Sequence, residues 1–157
     1  MFCFQCEQTA KCTGCAGKMG VCGKNGDTAE LQDKLTGALI GLARATDGNE
    51  HLIRESATAV IIESLFATLT NVNFDNAALE KLLERVGEEK RKMVPDCFAC
   101  AAPCGRNNDY DMQDLWNADE DIRSLKSLIL FGIRGMAAYA YHAAVLGCHE
   151  HEVDRFF

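Results

Sequence analysis

The first 24 residues, MFCFQCEQTAKCTGCAGKMGVCGK, constrain this chain more than any other stretch. Thiols stand at Cys3, Cys6, Cys12, Cys15 and Cys22, and residues 1–26 hold five glycines with no periodic apolar pattern. A chain terminus is ordinarily the loosest part of a domain. One that places thiols among glycines is expected to be a loop folded around something other than a hydrophobic core. Cys3 and Cys6 form a CxxC pair, and so do Cys12 and Cys15. Two intervening residues let both sulfurs reach one metal or one cluster edge, and neighbouring glycines permit the tight turns that this requires.

Nine cysteines in 157 residues fit either a disulfide framework in an oxidising compartment or metal sites in a reducing one. Gln5, Glu7, Gln8 and Lys11 interrupt any apolar run at the N-terminus, unlike a secretory signal. An odd cysteine count also suits a complete disulfide set poorly. The expectation is a cytoplasmic protein with reduced, metal-ligating cysteines. A net charge of −7 argues against nucleic-acid binding, which needs a basic surface, and against docking on anionic lipid. The most apolar stretch, LILFGIRGMAAYAYHAAVL at 128–146, carries Arg134 and His142. It reads as a buried soluble helix rather than a membrane span.

The rest of the chain is helical in pattern, and the whole is expected to be one domain, 1–157. Behind the loop of 1–26, residues 27–93 carry three helices. The first, about 28–46, has Leu31, Leu35, Ala38, Leu39 and Leu42 at 3.6 spacing, with Asp27 and Glu30 as a capping box. The second, about 51–70, has Ile53, Ala57, Val60, Ile61, Ser64, Leu65 and Leu69 on one face. The third, about 77–93, follows Asp75 or Asn76 as cap, turns Leu79, Leu82, Leu83, Val86 and Met93 inward and its Glu and Lys outward, and pairs Glu88 with Lys92. A Cys/Pro loop at 94–117 precedes a long helix at 118–147, capped by Asn117 and stopped by Gly147. Its expected buried stripe is Ile122, Leu125, Ile129, Ile133, Met136, Ala140 and Ala143. No strand alternation is present. Short connections imply antiparallel neighbours, hence an all-α, up-and-down bundle of three to four main helices.

Three chemistries suit the N-terminal thiols. A structural zinc site uses four thiolates at CxxC spacing. An iron–sulfur cluster uses four thiolates shielded from water. A redox dithiol accompanies a βαβ unit, which this pattern lacks. Spacing leaves zinc and cluster open. Lys11, Lys18 and Lys24 stand against Glu7 alone in this region. They would stabilise any anionic tetrathiolate site without choosing its metal, and they read equally well as ordinary surface lysines.

The opening MFCFQCEQTAKCTGC…GVCGK resembles the hybrid-cluster proteins, also called prismane proteins or hydroxylamine reductases. The likeness continues in LQDKLTGALIGLA (31–43), ATLTNVNFDN (67–76) and LKSLILFGIRGMAAYAYHAAVLG (125–147), so it spans nearly the whole chain in order. The resemblance implies an iron–sulfur cluster held by the N-terminal cysteines beside an all-helical domain, with Cys3, Cys6, Cys15 and Cys22 as ligands. Family members with a short gap after the first CxxC carry 4Fe–4S, and those with a longer gap carry 2Fe–2S. The gaps here are two, eight and six residues, which implies 4Fe–4S, although the last gap is one residue longer than usual. Cys12 is an additional thiol that is able to replace Cys15 or Cys22. The resemblance implies that full-length members reduce hydroxylamine and nitric oxide at a second, hybrid cluster whose ligands come from later domains, and those positions lie outside these 157 residues. The expected role is therefore electron relay to a redox partner protein, a separate catalytic subunit or further domains. It is not catalysis by this chain alone. A homodimer is compatible with this. The alternative is a non-redox interaction module built on a structural zinc or cluster.

A second group, CFACAAPCG, spaces Cys97, Cys100 and Cys104 by two and three residues. The sharper reading is a second cluster with Cys12 or Cys148 as fourth ligand; the plainer one is buried small thiols or a local disulfide. His142 reads as a hydrogen-bonded core histidine. CHEHEVD, with Cys148, His149 and His151, reads as a solvated helix end. Phe2 and Phe4 are expected to shield the cluster from water, and Trp116, Tyr139 and Tyr141 to be core or rim residues.

Overall fold

Leucines at helical spacing gather into one apolar seam. Leu35, Ala38, Leu39 and Leu42 pack with Ala57, Val60, Ile62 and Leu65, and with Leu79, Leu82, Val86 and Met93. The computed structural model describes residues 1–6, 13–47, 52–93 and 108–157. Lys11, Cys12, Cys97, Cys100, Cys104 and residues 48–51 lie outside the described residues. The helices are α1 (Gly26–Thr46), α2 (Glu55–Ala67), α3 (Asn76–Met93), α4 (Met112–Trp116), α5 (Glu120–Val145) and α6 (His151–Phe156). Among the described residues the only β-type pairing is an isolated antiparallel bridge between Cys3 and Cys15. The protein is an all-α helix bundle. The α1 helix lies along α3, while α2 packs between α3 and α5.

Several boundaries differ from the sequence reading for local reasons. Asn25, not Asp27, caps α1, because its side chain accepts from the Thr28 N–H at 2.8 Å and the helix begins two residues earlier than expected. Asp75 does cap α3, accepting from Ala77 N at 2.9 Å. Asp119, not Asn117, caps α5; Asn117 instead ends the short α4, which the pattern did not reveal. The α5 helix ends where expected. Gly147 N–H bonds Ala144 O at 2.9 Å and Cys148 N–H bonds Ala143 O at 2.9 Å, the paired bonds of a Schellman stop. On α3, Lys92 pairs with Glu89 at 2.7 Å rather than with Glu88. Lys90 is buried rather than outward and reaches Asp109 at 2.7 Å.

The largest departure concerns α5. Its inward stripe is Leu130, Ile133, Arg134, Ala137, Ala140 and Tyr141, of which only Arg134 and Ala137 are fully buried. The expected stripe is largely turned outward: Ile122 is 46% exposed, Leu125 60%, Ile129 61% and Met136 42%. The expectation of a buried helix at 128–146 is thus overturned. By length and composition α5 would suffice to cross a membrane, yet a fully buried arginine at its middle joins it to the bundle. His142 is exposed, edge-on to Phe66 at 5.1 Å, and is not a core residue. Tyr139 is exposed as well.

The segment before α4 lies directly on α1. Tyr110 N–H bonds the Gly37 carbonyl at 3.0 Å, and a Cβ on Gly37 would overlap the Tyr110 carbonyl oxygen. Gly37→Ala is expected to lower stability by about 1–3 kcal/mol, as overpacking does. Leu128→Ser, on the exposed face, is expected to change it by less than about 0.5 kcal/mol. Urea midpoints of the two variants check both outcomes.

Candidate functional site

The N-terminal segment is held in place by backbone bonds. Cys3 N–H donates to Cys15 O at 3.0 Å and Cys15 N–H to Cys3 O at 2.7 Å. Residues so paired across an antiparallel bridge project to the same side, so the Cys3 and Cys15 thiols share a face. The turn before Cys15 depends on Gly14, whose φ is +85° and whose missing Cβ leaves room for the Phe2 ring. A second turn carries Cys22, closed by Gly20 N–H to Lys24 O at 2.8 Å. Cys3 and Cys15 are buried and Cys6 and Cys22 half-buried, and no disulfide joins the described cysteines.

Gln5, between the two cysteines of the first pair, organises the space beneath them. Its side-chain N–H groups donate to Ala29 O at 2.8 Å and to Asp33 Oδ1 at 2.8 Å. Its carbonyl Oε1 accepts from Lys24 Nζ at 2.5 Å. Lys24 Nζ also donates to Gln32 Oε1, and Gln32 Nε2 donates to Asn73 O at 2.8 Å. The Gln5 backbone carbonyl faces Arg134 Nη1 at 3.5 Å. Arg134 further donates from Nε to Thr68 Oγ1 at 3.0 Å and from Nη2 to Thr36 Oγ1 at 2.9 Å. One network thus joins the loop, α1, the end of α2 and α5.

Both cations are deeply buried, Arg134 at 2% exposure and Lys24 at 4%. Burial pushes the Arg134 guanidinium down to about 10, opposed by Asp33, Cys3 and Cys6, so it stays charged at neutral pH. Burial raises the Cys3 thiol, against a hydrogen bond from the Gln5 backbone N–H and the charge of Lys24. Burial likewise raises the Asp33 carboxyl, against the Gln5 hydrogen bond and the Arg134 and Lys24 charges. One flank of the loop is aromatic. Phe2 and Phe4 lie 5.2 and 5.0 Å from Trp116, and Arg123 sits over the Trp116 ring at 4.8 Å.

The structure therefore brings Cys3, Cys6 and Cys15 into one neighbourhood and ties the Cys22 turn to it through Lys24. Among the described residues no three His, Cys, Asp or Glu side chains converge tightly enough for a single metal ion. A polynuclear cluster spaces its thiolates more widely than one ion does. Cys148 is exposed after the end of α5, and His149 lies 3.9 Å from Asp154, as a solvated end would. Sequence reasoning missed Gln5, Asp33 and Arg134. The available signal was a lone guanidinium in the most apolar stretch; nothing marked Gln5.

The chain belongs to the Prismane/CO dehydrogenase family, whose pattern matches residues 1–157. It is 40% identical to a hydroxylamine reductase of Solidesulfovibrio magneticus, covering 99% of this chain and 32% of that protein. A hydroxylamine reductase of Methanococcus vannielii is 36% identical, with 99% and 32% covered. One from Bacteroides thetaiotaomicron is 40% identical, with 99% and 31% covered. The chain spans about a third of the length of these curated relatives and corresponds to their N-terminal part.

Because its folded carboxyl lies above the usual aspartate value of about 3.9, Asp33 supports folding at acid pH. That contribution is lost as pH rises through the folded value. For the metal-free chain, the stability of Asp33→Asn relative to wild type is expected to rise between acid and neutral pH. Urea titrations across that range measure the difference.

Proposed function

We propose that this chain is an iron–sulfur electron-transfer domain in which Cys3, Cys6, Cys15 and Cys22 hold one 4Fe–4S cluster. The observation that carries the reading is the Cys3–Cys15 backbone bridge set over two buried cations. Thiols arranged on a loop, with positive charge beneath them, suit an anionic thiolate-bound cluster. A bound cluster accepts one electron and releases it, with its potential tuned by N–H···S bonds and solvent exposure. The chain's own residues bind and shield. Gln5 N–H donates toward the Cys3 thiol, and Phe2, Phe4 and Trp116 exclude water on one flank. No proton donor or acceptor is required of them.

Relatives named hydroxylamine reductase extend well beyond this length, so hydroxylamine reduction is assigned to a larger assembly and not to the chain alone. The electron leaves toward catalytic domains of that kind, on the same polypeptide or a separate subunit, in the cytoplasm. The exposed apolar face of α5 supports a partnered existence, because apolar patches of this kind mark interaction surfaces. A second cluster on Cys97, Cys100 and Cys104, with Cys12 or Cys148, is a separate proposal that metal content decides.

Chain purified without oxygen is expected to contain about four iron and four sulfide, with visible absorption that dithionite bleaches. About eight of each would bring in the second site. Cys15→Ser is expected to lose most of the iron. A colourless chain containing zinc, or one containing no metal, would overturn the reading.

A further inference from the structure

We propose that Arg134 is the counter-cation of the cysteine site: a guanidinium fixed behind the CxxC pair that, with Lys24, offsets the negative charge a thiolate-bound cluster brings into the loop. The inference rests on the reading of these cysteines as cluster ligands. It starts from an imbalance among the described residues. Buried charges are normally paired with an opposite charge, yet the hydrogen-bond acceptors of Arg134 among the described residues are neutral: Thr36 Oγ1, Thr68 Oγ1 and the Gln5 carbonyl. Lys24 likewise donates to two neutral amide oxygens, of Gln5 and Gln32.

Among the described residues one carboxylate, Asp33, lies in electrostatic range of both cations, but it accepts its hydrogen bond from Gln5 and is only half-buried. Among the described residues, two deeply buried cations thus stand against one half-buried carboxylate, with Asp111 acting on that carboxylate rather than on Arg134. These charges centre on Gln5, a residue between Cys3 and Cys6. Among the described residues the other ionisable groups that act on Arg134 are the Cys3 and Cys6 thiols themselves, which carry negative charge only as thiolates. Thiolates bound to a cluster supply the charge that the network lacks. Arg134 comes from α5, so cluster binding and the seating of α5 on the bundle share one residue. Arg134 is a positioning and charge-setting residue, not a ligand.

The test uses the 157-residue chain and its Arg134→Gln, Arg134→Lys and Lys24→Gln variants, each reconstituted with iron and sulfide without oxygen. Helicity, iron and sulfide content and the midpoint potential are read for each. Losing a cation disfavours the more negative, reduced state. Arg134→Gln is therefore expected to have a more negative midpoint, with the one-electron equilibrium constant changed by about tenfold (59 mV) or more. Lys24→Gln should shift in the same direction, and Arg134→Lys should lie close to wild type. A folded, fully loaded Arg134→Gln variant with the wild-type potential overturns the proposal. If that variant fails to fold or load, the decision passes to the other two. Arg134→Lys must then recover loading and Lys24→Gln must show the negative shift; failure of either overturns it. A wild-type chain that takes up no iron overturns the cluster reading instead, so the two failures are distinct.

Discussion

A buried arginine holds this structure together. Arg134 reaches from the middle of α5 to Thr36 on α1, Thr68 at the end of α2 and the Gln5 carbonyl of the N-terminal loop. Taking a guanidinium out of water costs several kcal/mol, which good geometry and added hydrogen bonds must offset. Here that geometry is drawn from three separate segments. The bond to Gln5 joins residues 129 positions apart. Because α5 buries so little else, its placement depends on this residue together with Ala137 and the half-buried Ile133, Ala140 and Tyr141.

The second consequence lies in the loop. A CxxC pair is usually read for its cysteines, but here one of the intervening residues does the structural work. Gln5 makes three side-chain hydrogen bonds and takes a fourth contact at its carbonyl. The other, Phe4, packs on Trp116. Thus one of the two points polar groups into the bundle while its neighbour seals the flank. Both help to fix the backbone that presents Cys3 and Cys6. The β-bridge then sets Cys15 against Cys3, and the Lys24 contact draws in the turn of Cys22. Cys3 and Cys15 also share a small apolar cluster with Ala29 and Met1, while polar contacts tie the turn of Cys22 to them.

The third concerns the outer face of α5. Leu125, Leu128, Ile129 and Tyr139 stand in water on this chain, although their spacing belongs to a helix made for contact. The curated relatives run to about three times this length, and the proposed partnered role would cover such a face. Its apolar side chains cost little in the folded chain itself, but they leave a surface suited to burial against something further.

Helix content, the approximate extents of α1, α3 and α5 and the inward leucines of α1 and α3 were all legible in the sequence. They follow from 3.6-residue periodicity, which is a local property. The cysteine motif was legible for the same reason: spacing along the chain limits what two thiols can reach together. The family was legible too, in four separated strings. Which side of α5 faces inward was not, because both sides are apolar and periodicity alone cannot rank them. The ranking was made by Arg134, whose partners come from Thr36, Thr68 and Gln5, none of them near it in sequence. Nor could Asn25 be told from Asp27 as a cap, since each offers a suitable oxygen and the extended backbone at Asn25 decides. Local order was therefore written in the sequence. The charge environment of the cysteines existed only once the tertiary structure had carried two cations from distant segments to a single glutamine, because electrostatic contact depends on distance in space.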